Sequence, residues 1–287
     1  MNARGSSQQI ARPVEMNADS FRDKTVVITG ASAGVGGACA RAFSAQKARL
    51  VLIARGEEAL SAIAKELRAK TEVLAISMDV SDTGSCIKLF ERAEEVFGAI
   101  HCLINNAGAH LRGAVESRSP EDLAAMVDVN MRAPLVLTAA ALPYLRKAGG
   151  GSVVMVGSLA GCAPLQGAAT YSATKAGLRA FTYALADELR DSNVSIGVVS
   201  PGPIDTGFIM DNMDDVEDIV FSQPMSSAEQ VADAILELAK GDRTEIAMPA
   251  SSGKLLNLLY LFPSLRRKLR PIFDERGRKN KIKVRNQ

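Results

Sequence analysis

The chain contains no tryptophan, few histidines and four scattered cysteines, and neither sign of charge is in large excess. The cysteines lie in apolar stretches without metal-ligand spacing, so neither a disulfide framework nor a metal site is expected. They favour a reducing, cytoplasmic setting. The chain has 287 residues, of which 47% are hydrophobic, and a net charge of +2. This length suits one large α/β domain with a sizeable core.

Long apolar runs are also missing. Residues 1–23 are polar and lack the apolar segment of a signal peptide, so they are predicted to form a flexible extension. A membrane span needs about 20 mostly apolar residues. The longest apolar stretch noted in the sequence, residues 255–262, is far shorter. No membrane-spanning segment is therefore predicted.

Short apolar runs of the kind found in buried strands alternate with helical stretches along the chain. We predict seven strands, at residues 25–29, 49–54, 72–78, 102–105, 152–158, 195–200 and 245–248. This alternation indicates a single-domain α/β fold of the Rossmann-like type, a doubly wound parallel sheet with helices on both faces. The domain is predicted over residues 24–250, followed by a C-terminal apolar helix and basic tail over residues 251–287.

Tyr171 and Lys175 form a Tyr-x-x-x-Lys motif, and Ser158 precedes it in the chain. Residues four apart share one face of a helix, which brings the lysine ammonium near the tyrosine hydroxyl. A free phenol ionises near pH ~10. A nearby positive charge favours the phenolate, so Lys175 is predicted to lower the pKa of Tyr171 and make it a usable acid or base. Ser158 follows an apolar strand and is expected to point into a cleft at the strand's carboxyl end.

A glycine-rich turn follows the first predicted strand. It has the pattern Gly-x-x-x-Gly-x-Gly, from Gly30 through Gly34 to Gly36, preceded by Thr29. A strand, a glycine turn and a helix N-terminus together form a phosphate-binding arrangement in dinucleotide folds. An ordinary strand-to-helix turn is the alternative reading of the glycines alone.

Taken together, these motifs resemble those of the short-chain dehydrogenase/reductase family, in its one-domain branch. The resemblance covers residues 24–248, and its motifs occur in the family's order. They are residues 29–36, Asp79-Val80, Asn105–Asn106-Ala107-Gly108, Asn130, Ser158, Tyr171, Lys175 and Pro201-Gly202. The resemblance implies an NAD(P)-dependent oxidoreductase that assembles as a homodimer or homotetramer.

The resemblance also implies roles for individual residues. The catalytic set would be Asn130, Ser158, Tyr171 and Lys175, with the Asn130 carbonyl holding a relay water; Pro134, which has no N–H, would leave that carbonyl free. The other reading of Pro134 is a mere helix kink. The cofactor would be bound by Tyr171 and Lys175 together with Gly30, Ser32, Ala33, Gly34, Val35, Gly36, Arg55, Asp79, Val80, Asn106, Ala107, Gly108, Pro201, Gly202, Ile204 and Thr206.

The end of the second strand bears on the choice of cofactor. Ala54 stands where relatives that use NAD carry an aspartate, and Arg55 follows it. An arginine here accommodates the 2′-phosphate of NADP, so NADP(H) is predicted over NAD(H). A solvated arginine at a strand end is the alternative.

Two C-terminal features concern the substrate and partners. Residues 206–226 are predicted to form a methionine-containing substrate loop, which either contacts a hydrophobic ligand or packs on the chain's own core. Residues 264–287 carry ten basic and two acidic residues beside the apolar stretch 255–262. This juxtaposition predicts a peripheral membrane element or an oligomer contact, with a helix that caps the pocket as the alternative. Nucleic-acid binding is not predicted, since the tail has almost no aromatic residues.

Three functions remain open from the sequence. The first is reduction of a hydrophobic ketone, or the reverse oxidation, with tyrosine as general acid or base. The second is a 3-oxoacyl-carrier-protein reductase, which shares the same motifs. The third is a non-catalytic NADP-binding regulator, although such a protein would not need Ser158, Tyr171 and Lys175 together.

Overall fold

The computed structural model describes residues 20–210 and 213–285, and its centre is a parallel β-sheet. The sheet has seven strands in the spatial order β3-β2-β1-β4-β5-β6-β9. They are β1 (Thr25–Thr29), β2 (Arg49–Ala54), β3 (Val73–Ser77), β4 (Cys102–Asn105), β5 (Gly151–Val156), β6 (Val194–Pro201) and β9 (Glu245–Met248). All seven predicted strands are confirmed, four of them with the predicted bounds. A small second sheet pairs β7 (Ile204–Asp205) with β8 (Ser226–Ser227).

Helices cover both faces of the main sheet. They are α1 (Gly34–Ala45), α2 (Glu57–Arg68), α3 (Thr83–Phe97), α4 (Pro120–Val127), α5 (Ala133–Lys147), α6 (Ala169–Glu188), α7 (Gly207–Met210), α8 (Ala228–Leu238), α9 (Ala250–Leu261) and α10 (Pro263–Arg285). One core lies between the sheet and α1, α2 and α8. The other lies between the sheet and α3, α5 and α6. The predicted doubly wound α/β fold is thus confirmed.

The strand order reverses between β1 and β4, because the chain moves outward from β1 to β3 and then returns. In an open parallel sheet, this reversal leaves a crevice at the carboxyl ends of the strands. Val27 and Leu103 are partners in the register between the two strands, and both are fully buried. The buried strands therefore fix the position of the loops that follow them.

The N-terminal boundary differs in part from the prediction. Residues 1–19 of the predicted extension lie outside the described residues. Residues 20–23 form a turn, in which Phe21 is buried against Phe43 of α1 with ring centroids 4.9 Å apart. The predicted extension was therefore drawn too far into the chain, since Phe21 belongs to the core.

A continuous helical stretch runs through α4, a wide π-helical turn at Asp128–Arg132, and α5. By length and composition this stretch of 28 residues could cross a membrane, since its most apolar part has a mean hydropathy of 1.3. The prediction that no segment is long and apolar enough is therefore wrong by this measure. In the fold, however, Leu137, Ala141 and Leu145 of α5 are buried in the core against the sheet. Their burial is what a core helix requires.

The C-terminal region forms two helices joined at Phe262. Because proline disfavours a helix interior, the sequence predicts that Pro263 and Pro271 each interrupt any long C-terminal helix. The helices do separate at Pro263, but the break predicted at Pro271 is wrong, because Pro271 lies inside the 23-residue helix α10. This helix packs on the short 3₁₀ helix Asp218–Ser222 of the predicted substrate loop. A side chain at Gly277 would overlap the Asp218 carbonyl oxygen, which shows how closely the two segments approach.

Candidate active site

A cavity of about 1080 Å³ opens at the carboxyl ends of the strands, where the sheet order reverses. It brings together most of the residues that the sequence predicts for the site. These are Gly30, Ala33, Gly34, Val35, Asn106, Ala107, Gly108, Ser158, Tyr171, Lys175, Pro201, Gly202, Ile204 and Thr206. The predicted residues outside its lining are Ser32, Gly36, Arg55, Asp79, Val80 and Asn130.

The glycine turn is held closely against the loop after β4. Gly30 has a φ of +65°, a conformation that favours glycine, and Asn106 Nδ2 donates to its carbonyl oxygen at 3.1 Å. Gly36 is buried beneath this turn: a Cβ there would overlap the Gly30 carbonyl and lie 2.6 Å from Asn106 Nδ2. Thr29 Oγ1 accepts from the Asn106 and Ala107 N–H groups, each at 3.0 Å. The glycines thus allow two backbone segments to meet without side chains between them.

The residues present fit a dinucleotide phosphate. Ala33 is the N-cap of α1 and supplies no side-chain acceptor to the first turn of that helix. Ala33 and Gly34 both line the cavity and are exposed. Because the first N–H groups of a helix need acceptors, an uncapped helix N-terminus facing a cavity is suited to bind an anion.

Tyr171 and Lys175 lie on α6 and face the cavity together with Ser158. Ser158 follows β5 and caps a short 3₁₀ helix, where its Oγ accepts from the Ala160 N–H at 3.1 Å. Lys175 Nζ lies 5.6 Å from the centre of the Tyr171 ring and donates to the Val156 carbonyl at 2.8 Å. The helical spacing and the end of β5 therefore produce the cluster that the sequence predicts.

The electrostatics of the cluster differ from the prediction. Burial raises the pKa of Tyr171 above its ordinary value, although a hydrogen bond with Ser158 and the charge of Arg112 act to lower it. Burial lowers the pKa of Lys175 to about 8. The prediction that Lys175 lowers the Tyr171 pKa is therefore wrong for this arrangement, because the charge that acts on the phenol is that of Arg112 and burial outweighs it. The phenol is protonated at neutral pH, which is the form that can donate a proton.

Asn130 lies behind the cavity wall in the wide π-helical turn and is fully buried. Its side chain binds the loop after β4, donating to the Ala109 carbonyl at 2.8 Å and accepting from the Ala109 N–H at 2.7 Å. The turn directly precedes Pro134, which cannot donate a helical hydrogen bond and therefore favours such a distortion. A Cβ on Gly108 would lie 3.2 Å from Asn130 Oδ1 and 3.7 Å from Lys175 Nζ. Asn130 is thus close to the lysine.

Arg55 and Asp79 lie together at the edge of the sheet, after β2 and β3. The Asp79 carboxylate accepts from the Ser81 N–H at 2.8 Å. That hydrogen bond holds the pKa of Asp79 below its usual value, with a smaller effect from Arg55. The Arg55 side chain is exposed, whereas Val80, which follows Asp79 in the chain, is buried. No side chain at residue 54 or 55 carries a negative charge that would repel a phosphate.

His110 and Arg112 are among the cavity-lining residues that the sequence did not predict. His110 stacks on Tyr171, with ring centroids 3.9 Å apart and planes inclined by 10°. Burial, assisted by the charges of Arg112 and Lys175, lowers the pKa of His110 to about 3, so the imidazole is neutral. Arg112 follows on the same loop and lines the cavity. Their only sequence signal was their place directly after the Asn105–Gly108 motif.

The substrate loop forms part of the wall and part of a small core of its own. Ile209, Ile219 and Val220 line the cavity. Met210, Met213 and Met225 pack instead against the buried cluster of Ile209, Val216 and Phe221. The sequence left open whether this loop contacts a ligand or packs on the chain's own core. Some of its residues line the cavity and others pack on a core.

Helix α10 ties this loop in place. Asn280 Nδ2 donates to the Phe221 carbonyl at 2.9 Å, and Lys281 Nζ donates to the Val216 carbonyl at 2.6 Å. Lys281 also lies 3.5 Å from the Asp218 carboxylate. Three basic residues of the tail, Lys281, Arg270 and Arg285, are therefore engaged with the loop.

Comparisons with known proteins agree on one family. The family model described as short chain dehydrogenase matches residues 24–217. The ketoacyl reductase HetN of Nostoc is 33% identical over 78% of this chain and 77% of its own length. Dehydrogenase/reductase SDR family member 7B of Bos taurus is 30% identical over 91% of this chain and 84% of its own length.

Solved structures show the same similarity. A short-chain dehydrogenase/reductase from Burkholderia phymatum in complex with NAD superimposes with a TM-score of 0.76 at 26% identity, over 86% of this chain and 96% of the other. A metagenomic short-chain oxidoreductase in complex with NADP gives 0.68 at 29% identity, over 79% and 97%.

Proposed function

The chain belongs to the short-chain dehydrogenase/reductase family and is an NAD(P)-dependent oxidoreductase, and from this premise we propose that it is an NADPH-dependent reductase of a hydrophobic ketone, or works in the reverse direction. The observation that carries the proposal is the meeting of Ser158, Tyr171 and Lys175 with the glycine turn in one largely apolar cavity. Rate measurements of NADPH oxidation with a panel of ketones test it. A β-ketoacyl thioester belongs in the same panel.

In the proposed mechanism, Tyr171 donates its phenolic proton to the carbonyl oxygen of the substrate. When bound, the nicotinamide supplies a hydride to the carbonyl carbon. Ser158 hydrogen-bonds the same carbonyl oxygen and positions it against Tyr171. With a cofactor bound, the Lys175 ammonium group would bind its ribose hydroxyls, and the Asn130 carbonyl would hold a water that returns a proton toward the lysine. These four residues form the proposed catalytic set.

The remaining predicted residues would hold the cofactor. The backbone from Gly30 to Gly36, including Ser32 and Val35, would surround the pyrophosphate at the N-terminus of α1. Asp79 and Val80 would contact the adenine, and Asn106, Ala107 and Gly108 the adjacent ribose. The loop containing Pro201, Gly202, Ile204 and Thr206 would flank the nicotinamide. We propose residues 24–250 as the catalytic domain, 206–226 as its substrate loop and 251–287 as a C-terminal cap.

Arg55 is proposed to select NADPH over NADH. A charge-assisted hydrogen bond to the 2′-phosphate contributes about 1.5–3 kcal/mol, or roughly ten- to a hundredfold in affinity. In Arg55→Ala, we expect the Kd for NADPH to rise by that factor while the Kd for NADH changes little. Fluorescence titration with both cofactors measures this, with the exposed Arg92→Ala of α3 as control. An equal loss for both cofactors would show that Arg55 does not read the 2′-phosphate.

A ketoacyl reductase is the second candidate function. It is favoured by the name of the HetN relative, which is similar over 78% of this chain. Faster turnover of the β-ketoacyl thioester than of simple ketones would favour it. Retention of Ser158, Tyr171 and Lys175 in one cavity speaks against a purely regulatory protein, since cofactor binding alone does not require a general acid.

We further propose that the enzyme is a cytoplasmic homodimer or homotetramer that touches membranes peripherally through its C-terminal helices. Three apolar residues at the junction of α9 and α10 are strongly exposed: Leu258 by 51%, Leu261 by 71% and Phe262 by 54%. Basic residues of α10, Arg267 and Lys268, follow closely and are exposed. Leu256 and Leu259 line the cavity instead, and Leu255 lines it while also being exposed. The apolar stretch thus divides between the pocket and the surface.

The double variant Leu261→Ser/Phe262→Ser tests the membrane contact. Burying a large apolar side chain contributes about 1.5–3 kcal/mol, so we expect at least a tenfold loss of binding to anionic phosphatidylglycerol vesicles at low salt. Sedimentation with vesicles measures this. Ile87→Ser on α3, where the isoleucine is 51% exposed, is the control. Wild-type protein that fails to sediment with these vesicles at low salt would contradict the proposal. Truncation of α10 is a poorer test, because that helix also holds the substrate loop.

A further inference from the structure

The charged side chains among the described cavity-lining residues are all cationic. Five of these lining residues are cationic, and none of the described lining residues is an aspartate or glutamate. The cationic residues are Arg112, Lys175, Arg266, Arg267 and Arg270. Lys175 already has a place in the proposed chemistry, but four arginines remain. A substrate that is only hydrophobic gives no reason for them.

Arg270 is engaged within the protein. Its guanidinium lies 3.7 Å from the Glu217 carboxylate and 3.3 Å from Asp274, and it also contacts Gln166. These contacts join α10 to the substrate loop and to the loop before α6. Arg270 therefore has a structural explanation. Arg267 is exposed and bonds Ser264 on its own helix at 3.4 Å. Arg266, next to it, is half-buried and also forms no ion pair among the described residues, but it lies on α10 rather than on the loop that carries His110.

Arg112 differs from these residues. It is half-buried, and its guanidinium takes part in none of the ion pairs among the described residues. Burial lowers the pKa of Arg112 and outweighs the carboxylates of Glu217 and Asp215, which act on it without forming an ion pair. Its backbone is fixed from two sides: Arg118 Nε donates to the Arg112 carbonyl at 2.7 Å, and the Gly113 N–H donates to the Gly167 carbonyl at 2.9 Å. A cation held on a fixed loop, and partly removed from water, is unfavourable unless an anion accompanies it.

The surroundings of Arg112 point to the ligand that would supply this anion. His110, two residues earlier on the same loop, stacks on Tyr171, so Arg112 lies on the proposed catalytic side of the cavity. The remaining wall is formed largely by apolar side chains, among them Leu165, Ile219, Val220, Leu255, Leu259 and Phe273. A ligand that satisfies both features has an apolar body and one acidic group.

We propose that the substrate of the carbonyl reductase carries a carboxylate or phosphate on an apolar body, and that Arg112 binds this acidic group inside the cavity. The inference rests on the proposed function, because it names the substrate class of the same site. The guanidinium forms paired hydrogen bonds with the oxygens of either anion. The apolar body lies against the leucines of α9 while the carbonyl meets Tyr171.

The first experiment compares acids with their uncharged counterparts. Medium-chain γ-, δ- and ε-keto acids are each assayed beside the corresponding methyl ester, in wild type and Arg112→Gln. We expect wild type to prefer the acids, and the ratio of kcat/KM for acid over ester to fall about ten- to a hundredfold in Arg112→Gln, mainly through KM. Arg112→Lys should restore part of the preference. The control Arg92→Gln, far from the cavity on α3, should leave the ratio unchanged.

The same comparison separates ligand binding from an effect on Tyr171. If Arg112 serves only to lower the pKa of Tyr171, its loss reduces the turnover of acids and esters equally and shifts the pH profile of both. Equal losses would overturn the inference. A loss for the acids that exceeds the change shared by the esters, at a pH where both are assayed, would support it.

The second experiment measures binding without turnover. Calorimetric titrations of octanoate, octyl phosphate and octanol, each with saturating NADP⁺, distinguish a carboxylate from a phosphate site. We expect at least one of the two anions to bind wild type about ten- to a hundredfold more tightly than octanol, and to lose that advantage in Arg112→Gln. Equal affinity for all three would overturn the inference.

The two experiments also separate this inference from the proposed function. If the enzyme reduces neutral ketones and shows no preference for acids, the proposed reductase function stands and the proposed binding of an acidic group by Arg112 is refuted. Arg112-dependent binding of an anion without turnover of any carbonyl compound supports the subsite and refutes the reductase. Preserved NADPH affinity in Arg112→Gln verifies that the variant is folded.

Discussion

Tyr171→Phe is expected to lower kcat for ketone reduction by at least about 10²–10⁴-fold, the usual contribution of general acid catalysis. Phenylalanine removes the phenolic proton and keeps the ring, so it preserves the stacking on His110. The fold and the affinity for NADPH should therefore be retained. Steady-state kinetics on the best ketone of the panel, with a cofactor titration of the same preparation, measures both quantities.

Tyr183→Phe provides a matched control on the same helix. The Tyr183 hydroxyl donates to Glu245 at 2.8 Å, and this side chain does not line the cavity. The control variant should keep near wild-type turnover. If Tyr171→Phe also kept its turnover within tenfold of wild type, Tyr171 would not be the proton donor.

Gly36→Ala is expected to impair both folding and cofactor binding. The added methyl group would overlap the Gly30 carbonyl oxygen and crowd Asn106, so the glycine turn must move. Overpacking of this kind costs about 1–3 kcal/mol, and sometimes more. We expect a lower melting temperature and a rise of about five- to a hundredfold in the Kd for NADPH. Differential scanning fluorimetry and cofactor titration measure the two effects.

Gly56→Ala is the control for this substitution. Gly56 precedes α2 with a φ of −77°, and a Cβ there would meet nothing within 4 Å. The same chemical change should therefore be tolerated. If both variants lost thermal stability and NADPH affinity to a similar extent, the effect of the added methyl group would not be specific to the glycine turn.

The sheet and the candidate site can be predicted from the sequence because both depend on short-range residue patterns. Strands β1, β2, β4 and β9 have the predicted bounds, because short apolar runs between polar residues mark strands of a parallel sheet; β1, β2 and β4 are buried, and β9, at the sheet edge, is half-buried. Tyr171 and Lys175 share a helix face through spacing alone. The parallel sheet then brings Ser158 and the glycine turn to the same edge. The sheet topology therefore determines how these residues, which are distant in the sequence, lie relative to one another.

The remaining features depend on contacts between distant segments. Pro271 is compatible with helix α10 because that helix packs on the substrate loop, where Gly277 meets the Asp218 backbone. Tertiary packing here overrides the local preference of proline. The raised pKa of Tyr171 likewise reflects burial, which depends on the whole cavity wall. Arg112 could not be recognised either, because its place in the cavity wall depends on contacts between loops far apart in the chain, such as that of Gly113 with Gly167.

Isotope transfer tests the central claim most directly. The enzyme is incubated with the best ketone and NADPH that carries deuterium at the transferable position of the nicotinamide, and the alcohol product is analysed by mass spectrometry. The account predicts that the carbonyl carbon gains one deuterium per NADPH oxidised, and that this product is nearly absent with Tyr171→Phe. Oxidation of NADPH without deuterium in the alcohol, or equal labelling by Tyr171→Phe at the wild-type rate, would contradict it.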